Sequence, residues 1–378
     1  MSSPKTSDPV CVYSRRGPFS FIQLDKFDII GGMEEIALYR KYRPQKFSDV
    51  LGQDHIIKVL EGSVRLKRIS HAYLFTGARG TGKTSIARIF AREIGCQEED
   101  LYEIDAASNR GIDEIREIKK AVSTTPFRSP FKVYIIDECH MLTRDAFNAL
   151  LKTLEEPPSY VVFILATTEP EKVPETVVSR CQVFNFNRPS QIILRDMILE
   201  IGKNEGFSLE PSSADLIAIL SEGSFRDAQG ILQKILSFSR DKKISVEEVE
   251  TVTGAPKSKL LNDFLSALSE SDLNKGLQTV NRAVAENIDI KTFLKLILQR
   301  MRFVLLLRLK AGLDAEIERE LKREDFEFLK KLAEENSQKI NSHTLLELLD
   351  AYQKIGSSSI AQLPLELALV KILKSETD

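Results

Sequence analysis

The 378-residue chain is poor in cysteine, in net charge and in long apolar runs. Its four cysteines, Cys11, Cys96, Cys139 and Cys181, lie far apart and form no C-x-x-C pair. Neither a disulfide framework nor a zinc site is indicated, and a reduced, cytoplasmic protein is expected. No apolar run approaches the ~20 residues of a membrane-spanning helix. The greasiest stretch, Phe303 to Leu309, is bracketed and broken by Arg302 and Arg308, and residues 1–32 carry no signal-peptide pattern. Lys plus Arg number 53 and Asp plus Glu 55, a net charge of −2. Such a balance excludes a bulk coat on nucleic acid but leaves room for a local basic face.

What is present is a globular composition, 42% hydrophobic and 29% charged, with length for about two to three domains. Residues 1–32 lack periodicity and end at Gly31-Gly32; they read as a leader or tag, expected to be disordered. Over residues 33–188 short apolar runs alternate with amphipathic stretches. The predicted strands are Ala72–Thr76, Leu101–Asp105, Lys132–Asp137, Val161–Thr167 and Val183–Phe186. A helix is predicted over Arg144–Glu155, stopped by Pro157-Pro158. This alternation predicts an α/β domain with a parallel sheet covered on both faces. After Arg188-Pro189 the strand signal vanishes. A small helical unit is predicted over 189–253 and a larger, Leu-rich one over 254–378, jointed at Gly254-Ala255-Pro256.

Two motifs carry chemistry. Gly77-Ala78-Arg79-Gly80-Thr81-Gly82-Lys83-Thr84 fits G-x-x-x-x-G-K-[ST] at every fixed position. A predicted strand precedes it and a helix from Ser85 to Glu93 follows. Its glycines let successive N–H groups face phosphate oxygens, and the helix N-terminus adds positive dipole. Lys83 is expected to reach the β- and γ-phosphates of ATP and Thr84 to ligate Mg²⁺. The second motif is an apolar strand ending in Asp137-Glu138. Asp137 is placed to hold Mg²⁺ and Glu138 to polarise the attacking water. His140, completing Asp-Glu-Cys-His, stays ambiguous between a catalytic role and a packing or supporting one. The tetrapeptide also resembles a helicase motif, but the helical sequence after residue 190 offers no second nucleotide-facing lobe.

Several longer strings occur in order: MEEIALYRKYRPQKFSDVLGQ from Met33, HAYLFTGARGTGKT from His71, EIDAASNRGIDEI from Glu103, NALLKTLEEPP from Asn148, LATT from Leu165 and Ser179-Arg180-Cys181. Together they resemble the gamma/tau subunits of bacterial DNA polymerase III, the ATPases of the sliding-clamp loader. The resemblance implies an AAA+ P-loop NTPase core, a helical lid and an all-α collar that joins subunits in a ring. It implies ATP and Mg²⁺ as ligands. As partners it implies delta and delta-prime subunits, further gamma/tau copies, the sliding clamp and primer–template DNA. Arg43, Pro44 and Val50 then fall in the adenine-pocket segment. Thr168, or its neighbour Thr167, falls at the polar sensor, and Arg180 at the arginine finger that reaches a neighbouring subunit's ATP. Arg226 resembles the lid sensor arginine; read alone, it is a helix-start arginine beside Asp227. Arg110 and Lys172 are the candidates for DNA-backbone contact.

The sequence also departs from the family. Relatives carry a four-cysteine zinc module after the phosphate-loop helix, where only Cys96 stands here, so no zinc is expected. The long C-terminal extension of the tau form is absent, as in a short gamma form or a truncated tau. Two other readings compete: a branch-migration helicase, which would end in a winged helix, and a scaffold like the delta-prime subunit, which should have a damaged phosphate loop. The charge balance is an average over unlike regions. Arg65, Lys67, Arg68, Arg79, Lys83, Arg88 and Arg92 form a stretch free of acids, followed by Glu93, Glu98, Glu99, Asp100, Glu103 and Asp105.

Overall fold

The structure is a computed structural model and describes residues 36–108, 111–309, 312, 314, 317, 318, 321–335 and 337–374. The leader at 1–32 and Arg110 lie outside them.

Five parallel strands form one sheet in the order β2-β3-β4-β1-β5. They are β1 (Ala72–Thr76), β2 (Leu101–Asp105), β3 (Lys132–Asp137), β4 (Val161–Thr167) and β5 (Gln182–Asn185). Strands β1 and β4 are buried along their whole length, as their unbroken apolar sequences require of strands covered on both faces. Helices α1 (Leu38–Lys41), α2 (Asp54–Arg65) and α3 (Lys83–Glu93) precede β2. Ile56 and Leu60 of α2 and Ile86, Ile89 and Phe90 of α3 pack with Phe75 and Ile135 on one sheet face. On the other face, Ile115 and Ile118 of α4 (Ile112–Val122) join Phe147, Leu150 and Leu154 of α5 (Arg144–Glu155). Parallel pairing sets Thr76 beside Thr167 and Asp105 beside Asp137. The ends of β1, β3 and β4 therefore open on one edge, where ligands bind in sheets of this kind.

Three local expectations are corrected. The helix after the phosphate loop begins at Lys83, not Ser85, because Gly82 at φ +101° serves as its N-cap. Strand β5 starts one residue earlier than Val183, at Gln182. The strand signal does not vanish after Pro189. Following α6 (Glu175–Val178) and α7 (Gln191–Asn204), β6 (Ser208–Leu209) pairs in parallel with β7 (Lys243–Ile244). Two-residue strands are too short to show a period of two.

Around that pair lie α8 (Pro211–Leu220), α9 (Phe225–Phe238) and α10 (Val246–Thr253). Ser190 and Ser224 cap α7 and α9, and Ser245 with Glu248 forms a capping box on α10. Leu38 of α1 joins this cluster, packed with Leu194, Ile198 and Leu232. Beyond it run α11 (Ser258–Ser269), α12 (Leu273–Ala285), α13 (Ile290–Arg308), α14 (Arg323–Glu335), α15 (Ser342–Ile355) and α16 (Leu363–Lys374). Their Leu-rich faces form one core around Phe264, Phe293 and Ile297. Ile219 of α8 is buried in that core, and Lys295 of α13 donates to its carbonyl at 2.6 Å. Among the described residues no helix is long and apolar enough to cross a membrane.

Candidate nucleotide site

The phosphate loop leaves β1 at Gly77, whose N–H donates to the Thr167 carbonyl at 3.2 Å. At Gly77, φ +142°, a Cβ would come within 2.6 Å of the Phe186 carbonyl oxygen. Glycine is the residue that tolerates both the conformation and the approach. Thr81 is buried and its hydroxyl donates to the Ala78 carbonyl at 2.9 Å. Arg79 is exposed, and Ser85 is half-buried in the first turn of α3. Lys83 is only 6% exposed, and its ammonium donates to the carbonyls of Gly77 at 2.7 Å and Ala78 at 2.9 Å. Burial pushes its pKa down, against the opposing pull of Glu138 and Asp137.

Lys83, Thr84, Asp137, Glu138, Thr167 and Thr168 come together at the sheet edge. Thr84 Oγ1 donates to Asp137 Oδ2 at 2.6 Å. Two hard oxygens so placed, on a hydroxyl and a carboxylate, suit Mg²⁺. Glu138 follows at φ +48°, with its own N–H on Asp137 Oδ1 at 3.0 Å. A non-glycine residue in the left-handed region carries strain that commonly marks a working site. The geometry distinguishes the two threonines. Thr168 Oγ1 donates to Glu138 Oε2 at 3.0 Å. Thr167 is fully buried; its hydroxyl lies 3.0 Å from His140 Nδ1 and accepts the Glu169 N–H at 3.0 Å.

The start of α9 reaches this edge directly. Phe225 N–H donates to the Gly80 carbonyl at 3.0 Å, and a Cβ on Gly80 would fall 2.0 Å from Ser224 Oγ. Arg226, in the first turn of α9, lies over the Tyr39 ring at 5.1 Å, within cation–π range. Arg43 is half-buried; burial lowers its pKa first, and then the positive charges of Arg88, Arg226 and Arg40. Guanidiniums gathered this way favour a polyanion between them. Pro44 is partly buried, and Val50 packs against the sheet core beside Phe47. Arg92 pins the segment by donating to Gln45 Oε1 at 2.9 Å and to its carbonyl at 3.0 Å. Buried Gln53 exchanges two hydrogen bonds with the backbone of Asn187 just beyond β5.

Other sequence candidates stand apart. Arg180, at the end of α6, donates to Glu155 Oε1 and to the Thr176 carbonyl, both at 2.7 Å. No phosphate-loop residue is among its partners. Lys172 is exposed and paired with Glu169 at 2.6 Å. Cys96 is buried against the sheet, and burial pushes its thiol up to about 11. Sequence reasoning missed the contacts of His140, the seating of Ser224 and Phe225 on Gly80, and the Tyr39 ring under Arg226.

A family model described as DNA polymerase III, delta subunit matches residues 52–110 and 99–190, and one described as DNA polymerase III subunits gamma and tau domain III matches 244–377. The DNA polymerase III subunit tau of Bacillus subtilis is 38% identical over 364 residues, covering 90% of this chain and 63% of its own. The subunit gamma of Buchnera aphidicola is 38% identical over 288 residues, 71% of this chain and 78% of its own. Among solved structures, a RuvB Holliday junction branch migration motor from Thermotoga maritima is 20% identical with a TM-score of 0.49, covering 59% of this chain and 79% of that one. The chain spans less than two thirds of the tau subunits it matches, 63% of that from Bacillus subtilis and 43% of that from Escherichia coli. Its phosphate loop stands on a sheet of order 5-1-4-3-2, the arrangement expected of an AAA+ core, and with a gamma subunit matched over most of its length the chain belongs to the DNA polymerase III gamma/tau family.

Proposed function

We propose that this chain is the ATP-hydrolysing subunit of a clamp loader, a cytoplasmic machine that opens the sliding clamp and places it on primed DNA. The observation that carries the reading is the joined pair of contacts beside Lys83: Thr84 on Asp137, and Thr168 on Glu138. In this reading residues 33–188 bind nucleotide, 189–253 form the lid and 254–378 the collar. Gly77 turns the loop, and backbone N–H groups of Ala78 to Gly82 with the side chains of Lys83, Thr84 and Ser85 hold the phosphates. Arg43, Pro44 and Val50 border the base. Arg226 closes the lid onto the γ-phosphate. Thr84 and Asp137 would hold Mg²⁺, which when bound would neutralise phosphate charge. The Cys96 region carries no zinc.

Hydrolysis then divides between residues. Glu138 accepts a proton from water as the water oxygen bonds to the γ-phosphorus. The bond from that phosphorus to the β–γ bridging oxygen breaks, and ADP and phosphate leave. Thr168 orients Glu138, and Lys83 and Arg226 neutralise developing charge. Arg180 acts on a neighbouring subunit's nucleotide. Delta, delta-prime and further gamma/tau copies are the ring partners. The exposed Leu346 and Leu349 of α15 and Leu363 and Leu367 of α16 support association through the collar. Arg110 and Lys172 are the proposed contacts to the primer–template backbone.

The test is ATP turnover of this chain with delta and delta-prime subunits, with and without the sliding clamp and primed DNA. Turnover stimulated by clamp and DNA is expected. Lys83→Ala should abolish it with the fold intact by circular dichroism. Full turnover in that variant, or no stimulation by any combination, refutes the reading.

A further inference from the structure

The reactive edge continues outward through a chain of polar contacts that neither phosphate-loop chemistry nor packing requires. Lys172 Nζ sits 2.6 Å from Glu169 Oε2 in solvent. The other oxygen of that carboxylate, Oε1, is 3.2 Å from His140 Nε2. The His140 side chain is only 5% exposed, and its Nδ1 lies 3.0 Å from Thr167 Oγ1 and 3.5 Å from Glu138 Oε2. Thr167 in turn accepts the Glu169 N–H, closing the ring of contacts.

Proton positions follow from this arrangement. The hydrogen bond from Lys172 holds the Glu169 carboxyl below its usual range, so it stays ionised and can only accept. His140 Nε2 must therefore carry a hydrogen toward Glu169. In the neutral ring Nδ1 is then the acceptor, and Thr167 Oγ1–H donates to it. A charged group at the surface thus fixes the tautomer of a buried ring, and the ring fixes the rotamer of a threonine beside Glu138.

Resting on the proposed function, we infer that Lys172, Glu169 and His140 form a relay between a captured DNA-backbone phosphate and Glu138, with His140 a positioning residue for hydrolysis. A phosphate that takes the Lys172 ammonium frees Glu169 from it. Glu169 then holds Nε2–H differently, and the imidazole turns relative to Thr167 and Glu138. No bond is made or broken along the relay. It changes how Glu138 faces the attacking water, and so acts on turnover and not on ATP binding.

The test uses the ring assembled with delta and delta-prime subunits and the sliding clamp, and measures ATP turnover with and without primed DNA. Glu169→Gln keeps the size of the side chain and removes its charge. His140→Asn places an amide near Nδ1 and loses the reach to Glu169. Each is expected to lower the ratio of DNA-stimulated to basal turnover by about two- to thirtyfold, the span of residues along a coupled network. The KM for ATP should stay unchanged. The double variant should be no worse than the worse single variant, since both cut one path. A wild-type ratio kept in either variant, a change in KM alone, or multiplied losses in the double variant overturns the relay while leaving the clamp-loader reading intact. A wild-type ring that hydrolyses ATP but ignores DNA overturns both.

Discussion

Gly80→Ala should pry the lid off the phosphate loop. Gly80 sits at φ +74°, and a Cβ there would lie 2.0 Å from Ser224 Oγ and 2.9 Å from Ser224 Cβ. Turning the hydroxyl away sacrifices its bond from the Asp227 N–H, which caps α9 and is typically worth about 1 kcal/mol. The Cβ–Cβ contact then remains too short, so the α9 terminus must retreat and lose the bond from Phe225 N–H to the Gly80 carbonyl, about another 1 kcal/mol. The sum is about 2 kcal/mol, or about a 30-fold rise in opening. Gly82→Ala is the control. Gly82 also has positive φ, +101°, but nothing lies within 4 Å of its Cβ position. It shares the backbone strain of about 1–2 kcal/mol without the lid contact. Hydrogen exchange of the Phe225 and Asp227 amides, without nucleotide, reads the difference. Exchange should rise at both amides in Gly80→Ala and stay near wild type in Gly82→Ala; in Gly80→Ala with Ser224→Gly it should recover at the Phe225 amide, while Asp227, whose acceptor is removed, stays open. Equal protection in the two alanine variants would show that the loop–lid contact does not hold the lid.

Arg180→Ala should slow hydrolysis by about 10³- to 10⁵-fold in the assembled ring and leave the isolated chain unaffected; an equal defect in isolation refutes a finger acting in trans. Asp100, 1% exposed, accepts the N–H groups of Phe127, Arg128 and Ser129 at 2.6, 2.9 and 2.9 Å. Burial pushes its carboxyl up, but these bonds outweigh burial and hold it below its usual range. Its stabilisation is thus complete above about pH 4, the unfolded value, and is lost as pH falls through the lower folded value. Asp100→Asn should flatten this acid limb in urea unfolding, and an unchanged limb contradicts the assignment. In the collar, buried Arg300 pairs with buried Asp325 at 3.2 Å, with Ser258 and Asn262 bonded to both. Arg300→Met should cost about 3–5 kcal/mol by leaving a buried charge, and adding Asp325→Leu should recover most of it; a double variant as unstable as the single refutes that balance.

The sheet is legible because parallel strands buried on both faces leave continuous apolar runs: Ala72–Thr76, Lys132–Asp137 and Val161–Thr167 match the structure residue for residue. The phosphate loop was legible because its constraint is local, glycines and Lys-Thr within eight positions. What failed was set by distant partners. Gly82 starts α3 two residues early through a left-handed backbone angle that no periodicity reports. Strands β6 and β7 pair across more than thirty residues with two residues each. Ser224 meets Gly80 across 144 positions, and Tyr39 meets Arg226 across 187. The surroundings of His140 could have been inferred further. Once β3 is set beside β4, with Ile136 across from Leu165, the residues just past the two ends are neighbours. Asp-Glu-Cys-His must then face Thr167-Thr168-Glu169.

Lys83, Arg180 and Lys172 each already hold a partner within the chain, so ligand binding at these cations is an exchange whose ease depends on burial. Arg180 and Lys172 hold Glu155 and Glu169 in solvent-exposed pairs, which are worth about 0–1 kcal/mol. A neighbour's γ-phosphate or a DNA phosphate can take them at little cost, as residues that must change partners in each cycle require. Lys83 is the opposite case. Its ammonium is out of water, held by two carbonyl dipoles, and burial works against its charge. An anion gives such a group the counter-charge that the carbonyls only approximate, so Lys83 gains more from phosphate than the exposed cations do. The buried lysine is therefore suited to hold nucleotide, and the exposed pairs are suited to sense whether a neighbouring subunit or DNA is in place.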